Sequence, residues 1–294
     1  MRQGSAVKRV IALAGIVTVL SACGSTTPAP PAPAASPALS LPAEQPGPGD
    51  HQLAMAHGGV RRDFTLHAPA AYRPGLPVVL VLHGYGSDSA GAVRQSGLNA
   101  VADRAGFLAV YPQGLGGAWD PGAGGPTGGD VGFLAALADH LVTVWGADRT
   151  RVYAAGFSAG AAFTYRLARE LPGRFAAIAP VSGRMDNVPA WRTPLGAGNA
   201  VSVVTFQGGR DQMAGSWAST NEAWSAAAGC GTPQATTVRN ARGIAERRVA
   251  TCASGAEHVV YAIPAMGHEW PNATEHPVAA SELMWEVFSR HRLP

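Results

Sequence analysis

The chain has 294 residues, of which 47% are hydrophobic and 14% charged, and a formal net charge of +3. Three of its 22 basic residues, Arg2, Lys8 and Arg9, precede Cys23, so the remainder carries 19 basic against 19 acidic residues. This balance gives little support for a nucleic-acid-binding surface. Lys8 is also the only lysine, which excludes a Schiff-base lysine, a Ser-Lys dyad and a phosphate-loop lysine from the rest of the chain.

The N-terminus has the organisation of an export signal. Lys8 and Arg9 precede an apolar run over residues 10–20, which is too short to span a bilayer comfortably. The run ends in Leu20-Ser21-Ala22-Cys23, which resembles the lipobox of bacterial lipoproteins, whose cysteine is acylated. We therefore expect a signal peptide over residues 1–22 and an exported protein anchored by a lipid on Cys23 to the outer face of the cell membrane. An ordinary cleaved signal and a retained signal anchor are the alternatives.

The segment after Cys23 has the composition of a linker. Pro, Ala, Ser, Thr and Gly dominate residues 24–50, which contain almost no large apolar side chains to bury. We therefore expect a disordered tether over residues 23–50. About 240 residues remain, which suits one large α/β domain. Residues 51–294 are accordingly predicted to form the catalytic domain.

Beyond residue 50, short apolar runs alternate with helical patterns, which predicts a mostly parallel central sheet with helices on both faces. The predicted strands are 76–82, 107–111, 151–155, 175–181, 201–206 and 258–263. The predicted helices are 90–105, 131–145, 158–171, a helix that includes 223–228, and 278–291. A glycine-rich stretch at 114–129 is predicted to be a loop at the carboxyl end of a strand, where ligands bind in open α/β sheets. A mobile surface loop is the alternative.

The motif Gly156-Phe157-Ser158-Ala159-Gly160 lies between the predicted strand 151–155 and a helix that begins with small residues. A nucleophilic serine needs such a sharp strand-to-helix turn, and the flanking glycines allow neighbouring backbone to pass close to it. The helix N-terminus also directs free N–H groups towards a developing oxyanion. We therefore predict that Ser158 is a nucleophile. A Gly-Ser turn without chemistry is the alternative.

A serine hydroxyl needs a base to take its proton, and that base needs an acid to orient it. In α/β proteins with a G-x-S-x-G turn, these residues follow in the order Ser, Asp or Glu, His. Asp211 lies in a turn just after the predicted strand 201–206, whereas Asp186 follows its preceding strand less closely. Among the four later histidines, His268 stands in the loop after the last predicted strand. We therefore predict Asp211 as the acid and His268 as the general base.

The loop after the first buried strand, Leu82-His83-Gly84-Tyr85-Gly86, is predicted to complete an oxyanion hole. The backbone N–H groups of Tyr85 and Ala159 are the expected donors. His83 precedes the nucleophile in the chain, so we expect it to brace this loop and not to act as the base.

Cys230 and Cys252 remain as an even pair once Cys23 is assigned to the lipid. Export places them in an oxidising compartment, so we expect a disulfide between them. Metal ligation is disfavoured because neither a C-x-x-C nor an H-E-x-x-H spacing accompanies them.

Several stretches together resemble bacterial secreted esterases of the polyhydroxybutyrate depolymerase and feruloyl esterase type. The similarity runs from about Val78 to the C-terminus and rests on PVVLVLHGYGSD, YPQG, DVGFLAAL, RVYAAGFSAGAAFTYRLA, RFAAIAPVSG, the Asp211 turn and GHEWPN. The resemblance implies an α/β-hydrolase fold and hydrolysis of hydroxyalkanoate, short-chain, acetyl or hydroxycinnamoyl esters without a metal or cofactor. It also implies catalytic roles for Ser158, Asp211 and His268.

Four positions depart from the usual pattern of this family. Gln207 replaces a histidine, Met266 and Asn272 replace glycines, and Tyr85 replaces a small residue or cysteine. These departures leave the three predicted catalytic residues in place and bear on the acyl pocket, and hence on the substrate.

We therefore expect a lipid-anchored serine esterase, a carboxylic ester hydrolase that binds a small-molecule or oligomeric ester. An envelope acyltransferase of the same fold and a catalytically silent binding lipoprotein are the alternatives. A product assay with and without an acceptor alcohol would separate hydrolysis from acyl transfer. Membrane contact is expected through Cys23, and no nucleic-acid partner is expected.

Overall fold

The computed structural model describes residues 44–120, 129–185, 193–196 and 201–294. The predicted signal peptide, Cys23 and most of the predicted tether lie outside these residues. Asp186 and residues 121–128 of the glycine-rich stretch lie outside them as well.

The described residues form one ten-stranded sheet in the order β1-β2-β4-β3-β5-β6-β7-β10-β9-β8. The strands are β1 (Gly49–His57), β2 (Val60–Ala68), β3 (Val78–Leu82), β4 (Leu108–Pro112), β5 (Val152–Phe157), β6 (Ala177–Val181), β7 (Ser202–Gly208), β8 (Gln234–Asn240), β9 (Gly243–Thr251) and β10 (Glu257–Ile263). The helices are α1 (Ser89–Ser96), α2 (Leu98–Ala105), α3 (Gly129–Thr143), α4 (Ala159–Glu170), α5 (Trp217–Ala228) and α6 (Ala280–Phe288).

The six central strands, from β4 to β10 in the sheet order, pair in parallel. Their residues are almost all buried, as expected for strands covered on both faces. Antiparallel strands flank this centre, with β1 and β2 at one edge and β9 and β8 at the other. The predicted mostly parallel sheet is therefore confirmed. The antiparallel edges were not predicted.

Helices cover both faces of the sheet, as the sequence predicts. On one face, α3, α4 and α5 contribute Phe133, Tyr165 and Trp224 to a hydrophobic cluster. On the other face, α2 and α6 contribute Val101 and Met284 to a second cluster. Burial of these two apolar layers is the main favourable contribution to folding.

The single helix predicted over 90–105 is two helices in the structure. Gly97 adopts a left-handed conformation, with φ 57°, and it both ends α1 and precedes α2. Its N–H donates to Val93 O at the end of α1. A glycine accepts this conformation without the steric cost that a side chain would add, which explains the break.

The folded region begins before the predicted boundary at residue 51. Strand β1 starts at Gly49. Glu44 also contacts the domain, because its Oε2 accepts a hydrogen bond from Trp145 Nε1 at 2.6 Å and its Oε1 lies 2.9 Å from His140 Nε2. Residues 44–50 therefore contribute to the domain, although their composition resembles that of the tether.

Cys230 and Cys252 form a disulfide, as predicted. The bond connects the segment after α5 to the segment after β9, and so fixes the outer antiparallel strands to the helix beside them. Among the described helices, none combines the length and the apolar character that crossing a bilayer would require.

Candidate active site

Ser158 occupies the turn between β5 and α4 in a strained backbone conformation, with φ 53° and ψ −113°. Within the described residues, Ser158 and Ser182 are the non-glycine residues with positive φ. Such conformations cost of order 1–3 kcal/mol each, and they persist where the surrounding structure enforces them. Here Ser158 N donates to Val181 O at 3.0 Å, and Ala162 N donates to Ser158 O at 3.0 Å.

The flanking glycines make this turn possible. A Cβ on Gly156 would lie 2.4 Å from Gly160 O, and a Cβ on Gly160 would lie 2.3 Å from Leu82 O. Side chains at these two positions would therefore overlap backbone that has no room to move. The G-x-S-x-G spacing thus has the steric basis that the sequence predicts.

Asp211 and His268 are in direct contact. Asp211 Oδ2 lies 2.8 Å from His268 Nδ1, and its Oδ1 accepts a hydrogen bond from Met213 N at 2.8 Å. The Asp211 side chain is fully buried, whereas that of His268 is 26% exposed. This arrangement places the proton of the imidazole on Nδ1 and leaves Nε2 free to accept another proton.

The loops that carry these two residues pack closely together. Arg210 N donates to Met266 O at 2.9 Å. A Cβ on Gly208 would lie 2.4 Å from Gly267 O, so only glycine fits at that position. Backbone contacts therefore fix the Asp211 turn against the His268 loop, independently of the bond between the two side chains.

The imidazole of His268 lies beside the serine turn. Its ring centroid is 4.8 Å from that of Phe157, the residue before Ser158. The structure gives no hydrogen bond between Ser158 Oγ and His268 within the described residues. Such catalytic hydrogen bonds are often long before a substrate binds and shorten in the reactive complex. The structure thus brings Asp211 and His268 into contact and places the imidazole of His268 beside the turn that carries Ser158.

The predicted oxyanion donors border the same turn. A Cβ on Gly84 would lie 3.6 Å from Ser158 Cβ, so the loop after β3 packs against the nucleophile. Ala159 is the first residue of α4. In the part of the chain that the structure describes, neither the Tyr85 N–H nor the Ala159 N–H donates a hydrogen bond to another protein group. Both groups are therefore free to bind an oxyanion.

His83 is a buried brace beneath this loop. Its Nε2 accepts a hydrogen bond from Gly114 N at 3.0 Å, and its Nδ1 donates to Gly84 O at 2.8 Å. Trp119 Nε1 donates to His83 O at 2.8 Å. Burial lowers the pKa of His83, so the ring is neutral near neutral pH. Because both ring nitrogens are occupied, His83 cannot serve as the catalytic base.

The other candidate histidines have different partners. His258 Nδ1 lies 3.0 Å from Ser225 Oγ, and His291 Nε2 lies 3.0 Å from Glu257 Oε2. Within the described residues, His268 is the histidine that contacts Asp211.

Ser182 belongs to the site, although the sequence analysis missed it. It follows β6, is fully buried and has φ 47°. Its Oγ donates to Glu269 O at 2.7 Å, and its N donates to Phe206 O at 2.9 Å. Ser182 thus connects the carboxyl end of β6 to the residue after His268. The sequence feature that could have pointed to Ser182 is its position directly after the predicted strand 175–181.

One cluster of side chains near His268 consists of residue types that can bind a metal ion. Ligand atoms of Glu269, Glu275 and His276 lie within 4.8 Å of one another. A metal-binding histidine usually donates its second ring N–H to an acceptor. His276 Nδ1 instead accepts a hydrogen bond from Asn272 N at 3.4 Å, while Asn272 Nδ2 donates to Glu275 Oε2 at 2.8 Å. We therefore assign these contacts to the packing of the loop after His268.

Known proteins resemble this chain in sequence. Residues 63–189 match the family model described as Esterase PHB depolymerase. "Putative esterase NocK" of Nocardia uniformis subsp. tsuyamanensis is 34% identical over 227 residues, which cover 69% of this chain and 63% of that protein. The bifunctional acetylxylan esterase/xylanase XynS20E of Neocallimastix patriciarum is 34% identical over 127 residues, which cover 42% of this chain and 18% of that protein. The chain therefore spans less than two thirds of the length of either relative.

A solved structure shows the same fold. The acetyl xylan esterase from Aspergillus awamori superposes with a TM-score of 0.67 at 17% sequence identity, over 82% of this chain and 99% of that one. The predicted fold class and the predicted family resemblance are both confirmed. Residues 63–189 resemble the Esterase PHB depolymerase family, and the chain has the α/β-hydrolase fold.

Proposed function

We propose that this protein is a cofactor-free serine carboxylic ester hydrolase. The observation that carries the proposal is the hydrogen bond between Asp211 and His268, formed on two loops that pack beside the strained turn of Ser158. A buried carboxylate that orients an imidazole next to a half-buried serine turn is the arrangement that activates a serine hydroxyl. The esterase names of the relatives support the same reaction class.

In the first half of the proposed reaction, Ser158 Oγ attacks the carbonyl carbon of the ester while His268 Nε2 takes its proton. The carbonyl π electrons move to the oxygen, and the N–H groups of Tyr85 and Ala159 donate hydrogen bonds to the resulting oxyanion. The tetrahedral intermediate then breaks its bond to the alkoxide. His268 protonates that leaving group, so an alcohol departs and Ser158 remains acylated.

In the second half, water replaces the alcohol. His268 takes a proton from the water as its oxygen attacks the acyl carbon, and the oxyanion forms again at the same N–H groups. Collapse of this intermediate breaks the bond to Ser158 Oγ, which regains its proton from His268. The products are one alcohol and one carboxylic acid, so the reaction balances without an oxidant, a metal or a cofactor.

A panel of esters tests the proposal, with Ser158→Ala, His268→Ala and the double variant measured on each ester. We expect each variant to lose roughly 10⁴-fold or more in kcat, and the losses not to add, because the residues act as a unit. The panel comprises aryl, acetyl-sugar, feruloyl and hydroxybutyrate esters, with and without an acceptor alcohol. Full activity of Ser158→Ala on every ester would refute the mechanism, and product formation only with the acceptor would indicate acyl transfer.

The choice of acid has its own matched pair of variants. Asp211→Asn keeps the shape of the side chain but permits the wrong imidazole tautomer, so we expect a large loss of kcat. Asp186→Asn changes the other candidate aspartate and should remain close to the parent. The reverse result would reassign the acid and leave the esterase proposal standing.

We further propose that residues 1–22 direct export and that Cys23 is lipidated, with the enzyme attached to the outer face of the membrane. The support is the apolar run at 10–20 and the Leu20-Ser21-Ala22-Cys23 tetrapeptide. The disulfide between Cys230 and Cys252 also suits an oxidising compartment.

A further inference from the structure

Trp119, in the glycine-rich stretch, is buried against the loop that carries Tyr85. Its Nε1 donates to His83 O at 2.8 Å, and its ring centroid lies 4.8 Å from that of the His83 imidazole. The indole also packs against Phe163 of α4, with ring centroids 5.6 Å apart. A buried indole N–H needs a partner, so its single donor is committed to the backbone of His83.

The peptide group that follows Trp119 is fixed from two sides. Asp120 N donates to Asp130 Oδ2 at 2.6 Å, and Asp120 O accepts a hydrogen bond from Arg166 Nη1 at 2.6 Å. Asp130 also forms a buried ion pair with Arg62. The indole therefore stands on a support that β2, α3 and α4 hold in place.

Hydrogen bonds hold the two peptide groups that flank Gly84. Trp119 binds the carbonyl of the first group, His83 O, whereas His83 Nδ1 donates to the carbonyl of the second group, Gly84 O, at 2.8 Å. Ser87 N donates to the same oxygen at 3.2 Å. Because a glycine has wide freedom in φ and ψ, the contacts to its two flanking peptide groups determine its conformation.

The second of these peptide groups carries the proposed oxyanion donor, Tyr85 N–H. In a trans peptide the C=O and the N–H point in opposite directions, so the contact at Gly84 O directs Tyr85 N–H away from His83. The direction of this N–H thus depends on the conformation of Gly84. That conformation depends in turn on the hydrogen bond from Trp119 to His83 O.

We propose that Trp119 is a positioning residue, which holds the backbone of His83 and thereby sets the direction of the Tyr85 N–H in the oxyanion hole. This inference rests on the proposed esterase function and gives the glycine-rich stretch a role in it. Trp119 acts through the loop after β3 and not on the reacting atoms. The negative charge on the oxygen develops in the transition state, so a misdirected donor lowers kcat and leaves substrate binding nearly unchanged.

Trp119→Phe tests the inference, because it removes the indole N–H and keeps an aromatic ring. We expect kcat to fall roughly tenfold with KM nearly unchanged. This loss is smaller than the roughly 10²- to 10³-fold loss caused by removal of a whole oxyanion donor, since Tyr85 N–H is still present. Replacement of Trp119 by benzothienylalanine is a second variant, which keeps the bicyclic ring and its packing and removes the N–H alone. It should lower kcat in the same way.

Trp145→Phe is the matched control. Trp145 is also buried, and its Nε1 also donates a hydrogen bond, to Glu44 Oε2. Its ring contacts His51 of β1, in the N-terminal part of the domain. The control variant should therefore keep the parental kcat, although it loses a comparable buried contact.

A trifluoromethyl ketone measures oxyanion binding without turnover. Ser158 Oγ adds to its carbonyl carbon, His268 takes the serine proton, and the hemiketal oxyanion occupies the position of the transition-state charge. We expect Ki to rise by about the factor by which kcat falls in both Trp119 variants, and to stay at the parental value in Trp145→Phe. Parental kcat and Ki in both Trp119 variants, equal losses in Trp145→Phe, or a rise of KM alone would overturn the inference.

Amide NMR separates the positioning role from catalysis. Nitrogen relaxation dispersion at the Tyr85 amide reports reorientation of its peptide group on the microsecond to millisecond timescale. We expect exchange broadening in the Trp119 variants and none in the parent or in Trp145→Phe. If this difference is found but the parent hydrolyses no ester, the esterase proposal fails and the positioning role stands. An identical Tyr85 signal in every protein would overturn the inference.

Discussion

At the residue scale, Ser158 and Ser182 share an unusual property. They are neighbours at the carboxyl edge of the sheet, and both have positive φ values that disfavour side chains. The positive φ of Ser158 is explained by its proposed role as nucleophile. The positive φ of Ser182 is explained by its contacts. Its Oγ donates a hydrogen bond to Glu269 O and so holds the loop of His268 in place. We therefore regard Ser182 as a positioning residue.

Removal of this hydroxyl should affect turnover more than binding. Ser182→Ala leaves Glu269 O without its buried partner, so the His268 loop should sample positions from which the imidazole does not reach Ser158. We expect kcat to fall roughly threefold to tenfold with KM nearly unchanged, since a hydrogen bond of this kind contributes about 0.5–1.5 kcal/mol.

Ser96→Ala is the matched control for this prediction. Ser96 is also buried, and its Oγ donates to a backbone carbonyl, that of Ala92, but it lies in α1. A comparable fall in kcat for both variants would indicate a general loss of stability. An unchanged kcat in Ser182→Ala would exclude the positioning role.

The sequence pointed to Ser158, Asp211 and His268 as candidate catalytic residues because each follows a strand that has a continuous apolar run. The strands β5, β6, β7 and β10 are consecutive in the sheet, so their carboxyl ends bring Ser158, Ser182, Asp211 and His268 together. Ser182 escaped prediction because a buried serine after a strand has no sequence pattern that distinguishes it. Its role depends on a backbone contact across 87 residues.

At the element scale, the parallel strands were predictable and the antiparallel edges were not. Strands such as β3 are buried throughout, so their sequences are apolar without interruption. Strand β8 is exposed at nearly every residue, and its sequence QATTVRN has no apolar run. It is formed by its pairing with β9, a tertiary contact that local sequence does not encode.

Strand β10 carries a titratable group that should make stability depend on pH. His258 is buried, and burial lowers its pKa from 6.5 to about 4. As the pH falls below about 6.5, the unfolded chain binds a proton at His258 before the folded chain does, so stability is lost. The loss attributable to this residue should be on the order of 3 kcal/mol by about pH 4.

Urea denaturation at about pH 7 and about pH 4 measures this effect in the parent and in His258→Gln. Glutamine does not titrate, so the variant should lose less stability than the parent over this interval, although it is less stable at the higher pH. Equal losses in the two proteins would show that His258 does not contribute to the acid sensitivity.

At the scale of the whole molecule, composition separates the N-terminal region from the domain. The boundary was predicted two residues after the start of β1, because residues 44–50 have the composition of a linker. Their inclusion in the domain depends on contacts such as that between Glu44 and Trp145, which are 101 positions apart. Composition alone cannot reveal such a contact.

The proposed anchor has a direct test in cell fractionation. Cys23→Ala removes the thiol that would carry the lipid, so we expect the variant to leave the membrane fraction or to accumulate unprocessed. Cys230→Ala removes another cysteine, one that is bonded within the domain, and should leave the membrane association intact. Identical fractionation of Cys23→Ala and the parent would refute the anchor.

The central claim is that Asp211 and His268 activate Ser158 as a nucleophile, and covalent labelling tests it most directly. A fluorophosphonate reacts with activated serine hydroxyls, and peptide mass spectrometry locates the adduct. We expect one adduct, on the peptide that contains Ser158, no labelling of Ser158→Ala, and labelling of His268→Ala slowed by orders of magnitude. An unlabelled Ser158 in the parent, or equally fast labelling in His268→Ala, would contradict the account.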